Sequence, residues 1–477
     1  MSAAIEDLTS RPWFFCGIGG SGMLPLATIL KGMGARVGGS DRSFDQGRSP
    51  EKFNWLASHG FELSPQDGSG VVSPQQVLVA SAAIEDTVPE VARARELGCD
   101  RMSRAQLLAA LFNAAGQGIA VGGTSGKSTV TAMIGWILHD TGRDPNIVNG
   151  AVMKNFASPD LPFASARSGL GRSFVAEVDE SDGSIALYRP EVAVLTNISL
   201  DHKSIEELRV LFRNFAKAAR TPVLNFDDEE VYDLAERVEN PLSFAIDHPQ
   251  ATIGVEPGTI VEGPAEIGAL LVDRREDVAH ALQLNMPGRH NLANALAAVA
   301  GASALGVPVH DSVIALRTFT GIARRFDIIG TSPSGITVID DFGHNPEKCR
   351  ATLRTLKAHP GRVIAFFQPH GYGPLRQMGH ELARTFAKEL EPGDVVILCD
   401  PVYFGGTVDR SEGSERIVQM IRDASAANGP SAEYLPERED CGRRIVELAQ
   451  PGDRIVVMGA RDDTLMTFAR SILEAVQ

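Results

Sequence analysis

Short apolar runs alternate with longer helix-patterned stretches along this chain. Trp13–Cys16 is a four-residue apolar run, and the glycine-rich segment 17–22 separates it from an apolar, helix-like stretch over 23–33. The run 35–41 predicts the next strand and its end, and 77–81 predicts a later strand. A second series opens with 118–122, passes through 123–129 into a helix pattern ending near His139, and includes strands over 174–178 and 192–196. The Ala-rich stretch 292–305 reads as a buried helix. A third series begins near Arg324, with strands over 337–339, 363–367, 395–398 and 455–457. Brief apolar strands alternating with helices predict α/β architecture with parallel sheets. Two late strands are introduced by the same words, Pro392-Gly393-Asp394 and Pro451-Gly452-Asp453, which predicts one local geometry used twice rather than a repeat. Boundaries near 114 and 324 divide the chain into 1–113, 114–323 and 324–477, with no low-complexity tract between them.

Composition narrows the class. A length of 477 residues, at roughly 150 per domain, agrees with about three domains. The 45 Lys and Arg against 60 Asp and Glu give a net charge of −15. That argues against a broad nucleic-acid or anionic-membrane footprint while permitting a local basic pocket. Cys16, Cys99, Cys349, Cys399 and Cys441 form neither a disulfide framework nor a zinc pattern. The start lacks the basic and apolar regions of a signal peptide, and no uninterrupted apolar run is long enough to span a bilayer. The expectation is a reduced, cytoplasmic protein.

The 47 glycines matter through their placement. Gly123-Thr124-Ser125-Gly126-Lys127-Ser128-Thr129 lies between a predicted strand and a predicted helix. Phosphates need a backbone they can approach, amides at a helix start, a lysine charge and a hydroxyl for Mg²⁺, and all are present. Val121 stands where the full pattern has glycine, so the match is to the shorter G-T-x-G-K-S form. Such a loop needs an acidic partner at a neighbouring strand end, and Glu177 supplies one. At least two of Asp179, Glu180 and Asp182 read as a solvated acidic turn. His202, beside Asp201 past the next strand, offers a second metal ligand. Gly17-x-Gly19-x-x-Gly22 matches a dinucleotide fingerprint, and Asp41 follows by roughly 20 residues, where an acid reaches a ribose hydroxyl.

Other segments stay open between structural and binding roles. His290, Asn291 and Asn294 precede or face a small-residue helix, where Asn is an N-cap by default. Arg324-Arg325-Phe326 reads equally as a surface pair. Residues 340–346, Asp-Asp-Phe-Gly-His-Asn-Pro, suit a cation or an amine. Neighbours on a strand face opposite ways, so at most one of Asp340 and Asp341 faces a cleft.

Taken together, the segments 15–23, 39–41, 81–84, 123–129, 176–182, 196–202, 288–294, 321–326 and 340–346 resemble the Mur ligases, in the family's order and over nearly the whole chain. The resemblance implies a Rossmann-like UDP-binding domain, a central P-loop ATPase-like domain and a Rossmann-like C-terminal domain. It implies an ATP-dependent ligase of peptidoglycan precursor synthesis. A UDP-N-acetylmuramate-type carboxylate attacks the γ-phosphate, and an amino acid's amine displaces phosphate from the acyl phosphate. By resemblance, Gly17, Gly19, Gly20, Ser21, Gly22, Ser40, Asp41 and Ser81 bind the UDP substrate. Gly123 to Thr129 with His290, Asn291, Asn294, Arg325 and Asp341 bind ATP. Ser128 or Thr129 with Glu177 hold one Mg²⁺ and His202 a second, and Lys127, Glu177, His202 and His344 act in catalysis. His344, His370 and Arg376 face the acceptor. The expected assembly is a monomer or homodimer. Gly371 and Pro374 stand where arginines are expected after Gln368-Pro369-His370. That leaves open a different acceptor or UDP-muramoyl substrate, muropeptide recycling among them, and a nucleotide-sensing protein that does not ligate.

Overall fold

The computed structural model describes residues 3–81, 84–199, 203–401, 412–425, 429–459, 462 and 464–477. His202, Asp201 and the pair Ala82-Ala83 lie outside the described residues. The chain forms two compact units. The first comprises 1–261, 267–285 and 289–322, and the second comprises 262–266, 286–288 and 323–477.

The first unit holds two sheets. The N-terminal one is parallel, in the order Glu62–Ser64, Val37–Ser40, Trp13–Cys16, Val77–Ala80, Asp100–Ser103. The first strand is central, which brings the turn after Cys16 beside the end of Val37–Ser40. Every residue of Trp13–Cys16 is buried, with Trp13 and Phe15 in the core on one face and Phe14 and Cys16 in a separate core on the other. A continuous apolar run is what a strand covered on both faces requires. In the second sheet Gln117–Gly122 lies between Ser173–Glu177 and Val192–Leu195, all parallel. Both neighbours therefore end at the level of the glycine turn that follows Gly122. Helices Lys127–Asp140 and Arg289–Ala304 pack together, and the latter buries Leu292, Ala295 through Val299 and Ala302 as its small-residue composition predicts. The predicted strands are present within a residue or two.

One region was not anticipated. Residues 242–284 carry further strands, including the antiparallel hairpin Ile267–Asp273 with Val278–Leu284. Its turn places Asp277 at φ 54°, and Asp273 accepts from the Arg275 guanidinium at 2.6 Å. A polar four-residue turn without glycine masked the hairpin signal.

The second unit is a sheet in the order Asp327–Thr331, Thr337–Asp341, Arg454–Gly459, Val363–Gln368, Val395–Leu398, Ser431–Tyr434, parallel except for the first strand. Val363, Ala365 and Phe367 join the core under helices Pro346–Lys357, Tyr372–Glu389 and Ser414–Ser425. Ile364 and Phe366 join the core under Arg438–Leu448 and Leu465–Ala475. The two Pro-Gly-Asp turns do share one geometry. Asp394 Oδ2 accepts from Glu391 N (2.8 Å) and Asp453 Oδ2 from Gln450 N (2.7 Å), while each aspartate amide donates back to the same residue's carbonyl at 3.0 Å. No helix among the described residues is long and apolar enough to cross a membrane.

Asp340 is a buried charge in this unit. It is 0% exposed, with Arg324 Nε at 3.4 Å. Burial pushes its carboxyl up to about 7; Arg324 pulls it down, and Asp341 and Asp327 push it further up. A folded pKa above the unfolded one means the native state binds more protons between them. The associated stability is full below about pH 4 and is lost as pH rises through about 7. Asp340→Asn removes this titration. We expect the unsubstituted protein to lose about 1–3 kcal/mol relative to the variant between pH 4 and 8, read as a change in the difference of their melting temperatures. A constant difference across that range is the contrary result.

Candidate active site

The turn between Gln117–Gly122 and Lys127–Asp140 is held by its neighbour strand's end. Thr124 N donates to Asn197 O (3.1 Å) and Ser125 N to Asn197 Oδ1 (2.9 Å), while Asn197 Nδ2 and Thr196 Oγ1 donate to Ser125 O (3.1 and 2.6 Å). Gly123 and Gly126 adopt φ values of 128° and 84°. A Cβ on Gly123 would lie 2.1 Å from Thr196 Oγ1, and one on Gly126 would lie 2.6 Å from Asn294 Oδ1. Glycine is therefore required at both positions. The second contact also brings Asn294 over the turn, where its Nδ2 lies 3.4 Å from Asn291 Oδ1. Asn291 is buried and His290 is exposed.

Four side chains converge at the helix start. Lys127 Nζ donates to Gly123 O (2.6 Å) and to Glu180 Oε2 and Oε1 (2.8 and 3.2 Å). Ser128 Oγ donates to Glu177 Oε2 at 2.6 Å. Glu177 ends its strand, and its other oxygen closes on the backbone: a Cβ on Gly150 would lie 2.1 Å from Oε1. Asn149 Nδ2 donates to Ser128 O, bracing the same helix turn. Thr129 is buried. A hydroxyl beside a carboxylate is a hard oxygen donor pair, which fits Mg²⁺. That ion takes one or two protein carboxylates and completes its shell with phosphate and water. No cluster of three His, Cys, Asp or Glu comes together among the described residues.

The N-terminal turn is built on Asp41. Its Oδ2 accepts from Gly19 N (2.9 Å) and its Oδ1 from Ser43 N (2.8 Å). Gly17 N and Ile18 N both donate to Ser40 O, and Ser40 Oγ donates to the fully buried Glu90 (2.8 Å). A Cβ on Gly19 would meet Phe53 at 2.9 Å and Asp41 at 3.0 Å. Gly20 and Ser21 form the exposed tip, and Ser81 is also exposed. The Arg104 side chain fills the place of a Cβ at Gly22, and its guanidinium lies 3.9 Å from Asp179. Arg104 thus runs from this turn to the acidic loop beside Lys127.

In the second unit, Asp341 is committed to its own chain. Its Oδ2 accepts from Phe326 N (2.8 Å), and its Oδ1 from Gly343 N (2.8 Å) and Thr352 Oγ1 (2.9 Å). Arg324 and Phe326 adopt φ values of 61° and 47°, which place non-glycine residues in a left-handed conformation. Arg324 is locked by Gly459 O (2.7 Å) and Asp462 O (2.9 Å), while Arg325 stacks on Phe342 at 4.2 Å. Both Asp340 and Asp341 are buried. His344 Nδ1 lies 3.0 Å from Phe342 O. Burial pushes the imidazole down to about 3, with Lys348 adding to the effect, so the ring is neutral near pH 7. Its ring lies nearly perpendicular to that of His370, with centroids 5.3 Å apart. Gln368 Nε2 donates to Asp462 Oδ2, and Arg376 is exposed with Glu412 at 3.7 Å.

Within the first unit the structure gathers Gly123 to Ser128, Glu177, Asn291 and Asn294 at one turn. In the second it gathers Arg325, Asp341, His344 and His370. Asp179 and Asp182 do accept from amides two residues on, as an acidic turn should. Glu180 does not; it is buried on Lys127. Sequence reasoning missed Glu180, Asn149 and Arg104, because nothing local marks which acid of a cluster turns inward.

Known proteins are similar along the whole length. Residues 14–115 match the family described as "Mur ligase family, catalytic domain", 121–302 "Mur ligase middle domain" and 324–461 "Mur ligase, glutamate ligase domain". A protein of Pelotomaculum thermopropionicum named UDP-N-acetylmuramate–L-alanine ligase is 35% identical, over 94% of both chains. One of the same name from Agrobacterium fabrum is 34% identical, over 94% of both. The crystal structure of a UDP-N-acetylmuramate-alanine ligase from Thermotoga maritima is 25% identical, with a TM-score of 0.79 over 97% of this chain and 98% of that one. The fold is thus α/β in three domains, and the chain belongs to the Mur ligase family.

Proposed function

We propose that this chain is an ATP-dependent ligase that joins an amino acid to the carboxylate of a UDP-N-acetylmuramate-type substrate, in peptidoglycan precursor synthesis in the cytoplasm. The observation that carries the reading is the convergence of Lys127, Ser128 and Glu177 on one glycine turn. Kinship with ligases named for L-alanine makes that amino acid the first acceptor to test.

Mg²⁺ held by Ser128 and Glu177, and a second ion held by His202, would supply charge neutralisation on the transferred phosphoryl group. The protein's own work is positional. The amides of the 123–128 turn cradle the phosphates, and Lys127 places its ammonium against the terminal one. As the substrate carboxylate attacks and the bond to ADP breaks, negative charge builds on the bridging oxygen of the leaving ADP, so a fixed cation there favours the transition state. Asn294, against the turn, and its neighbour Asn291 would contact the nucleotide base. The exposed tip of the Gly17–Gly22 turn, Gly20 and Ser21, takes the UDP diphosphate. Neutral His344, its Nδ1 directed at Phe342 O, leaves Nε2 as an acceptor for the incoming amine, with His370 and Arg376 as further acceptor-binding residues.

The decisive experiment is ADP release with UDP-N-acetylmuramate and a panel of amino acids including L-alanine. Release should require both substrates, and release that no UDP-sugar or amino acid raises above background defeats the proposal. Lys127→Ala should lower turnover by at least about 10³-fold while leaving UDP-substrate affinity within about twofold, measured by calorimetry. Equal loss of both contradicts separate sites. Glu177→Gln should raise the Mg²⁺ concentration for half-maximal rate by about tenfold or more, seen in a Mg²⁺ titration at fixed ATP. An unchanged midpoint removes Glu177 from the metal site.

A further inference from the structure

Glu180 has no part in the roles above, yet it is only 5% exposed and its carboxylate holds Lys127 with both oxygens, at 2.8 and 3.2 Å. Its loop is fixed on either side. Val178 N donates to Val121 O (2.9 Å), Ser181 N to Asp179 Oδ1 (2.9 Å), Gly183 N to Glu180 O (3.3 Å) and Ser184 N to Asp182 Oδ1 (2.8 Å). The other acids of the region face elsewhere: Glu177 takes the Ser128 hydroxyl, and Asp179 lies toward Arg104. Glu180 is therefore the counter-ion of the very ammonium that a nucleotide's terminal phosphates seek.

We propose that Glu180 is a positioning residue acting through Lys127. It holds the ammonium over the turn in the nucleotide-free protein, yields it to the phosphates when nucleotide binds, and takes it back as the spent nucleotide leaves. The exchange swaps one ion pair for another and makes or breaks no covalent bond. Two physical terms support it. A largely buried ammonium without a partner is costly, and Glu180 removes that cost while no phosphate is present. The same fixed negative charge repels a polyphosphate seated on the turn, and so weakens the hold on ADP. The residue trades nucleotide affinity for release.

This inference rests on the ATP-dependent reading given above, and its test separates the two. Glu180→Gln keeps an oxygen for Lys127 but removes the charge. Calorimetry should find MgADP bound about five- to tenfold more tightly by the variant. The KM for ATP should fall with it, and kcat should fall because product leaves slowly. If the variant does not fold, Glu180→Asp withdraws the carboxylate by one methylene and should shift affinity the same way. A MgADP affinity within twofold of the unsubstituted protein, with only the melting temperature lowered, makes Glu180 a structural residue and overturns the inference. If the unsubstituted protein binds UDP-N-acetylmuramate but neither MgADP nor MgATP, the ATP-dependent reading itself fails.

Discussion

The site depends on a backbone turn that admits no side chain. Between Gly122 and Lys127 the chain passes so close to Thr196 and Asn294 that a single methyl group would collide with one or the other. That closeness lets Thr196 and Asn197 bond the turn's amides and carbonyls directly. It also points the first helical residues, Lys127 and Ser128, at carboxylates on the adjacent strand and loop. Parallel pairing makes this possible. Strands that run together and end together deliver Glu177 and Thr196 to the same level as the glycines between them.

The two acids beside this turn do different work because of depth and attachment. Glu177 closes a strand and meets a hydroxyl. Glu180 lies three residues on, in a loop whose amides are occupied by its own aspartates, and meets an ammonium. One pair is a hydroxyl against a carboxylate, and the other balances a charge. Arg104 and Asp179 set a third charged contact at the margin, where the N-terminal glycine turn adjoins the acidic loop.

How much of this the chain announced follows from the range of each interaction. Trp13–Cys16, Gln117–Gly122 and Val363–Gln368 are legible because a strand covered on both faces must be apolar throughout. The glycine turn is legible because Gly123, Gly126, Lys127 and Ser128 fall within six residues. The hairpin over 267–284 was not, since its turn, Arg274 to Asp277, carries charge in place of the usual turn glycine. Nor was the division of labour among Asp179, Glu180 and Asp182. Adjacent acids look alike in sequence, and only the path of the loop decides which is sealed against Lys127. Asp41 was placed by spacing as a ribose partner, whereas its two oxygens hold Gly19 N and Ser43 N.

That use of Asp41 bears on how ligand meets the N-terminal turn. A glycine-rich loop left to itself samples many shapes, and a ligand that must select one forfeits affinity in proportion. With Gly19 pinned by a carboxylate and Gly17 and Ile18 both anchored to Ser40 O, the loop holds its shape before anything arrives. The ordering entropy is then charged to folding rather than to association. The proposed diphosphate ligand would then meet this turn by lock-and-key docking, with a rate set by diffusion and orientation instead of by loop rearrangement.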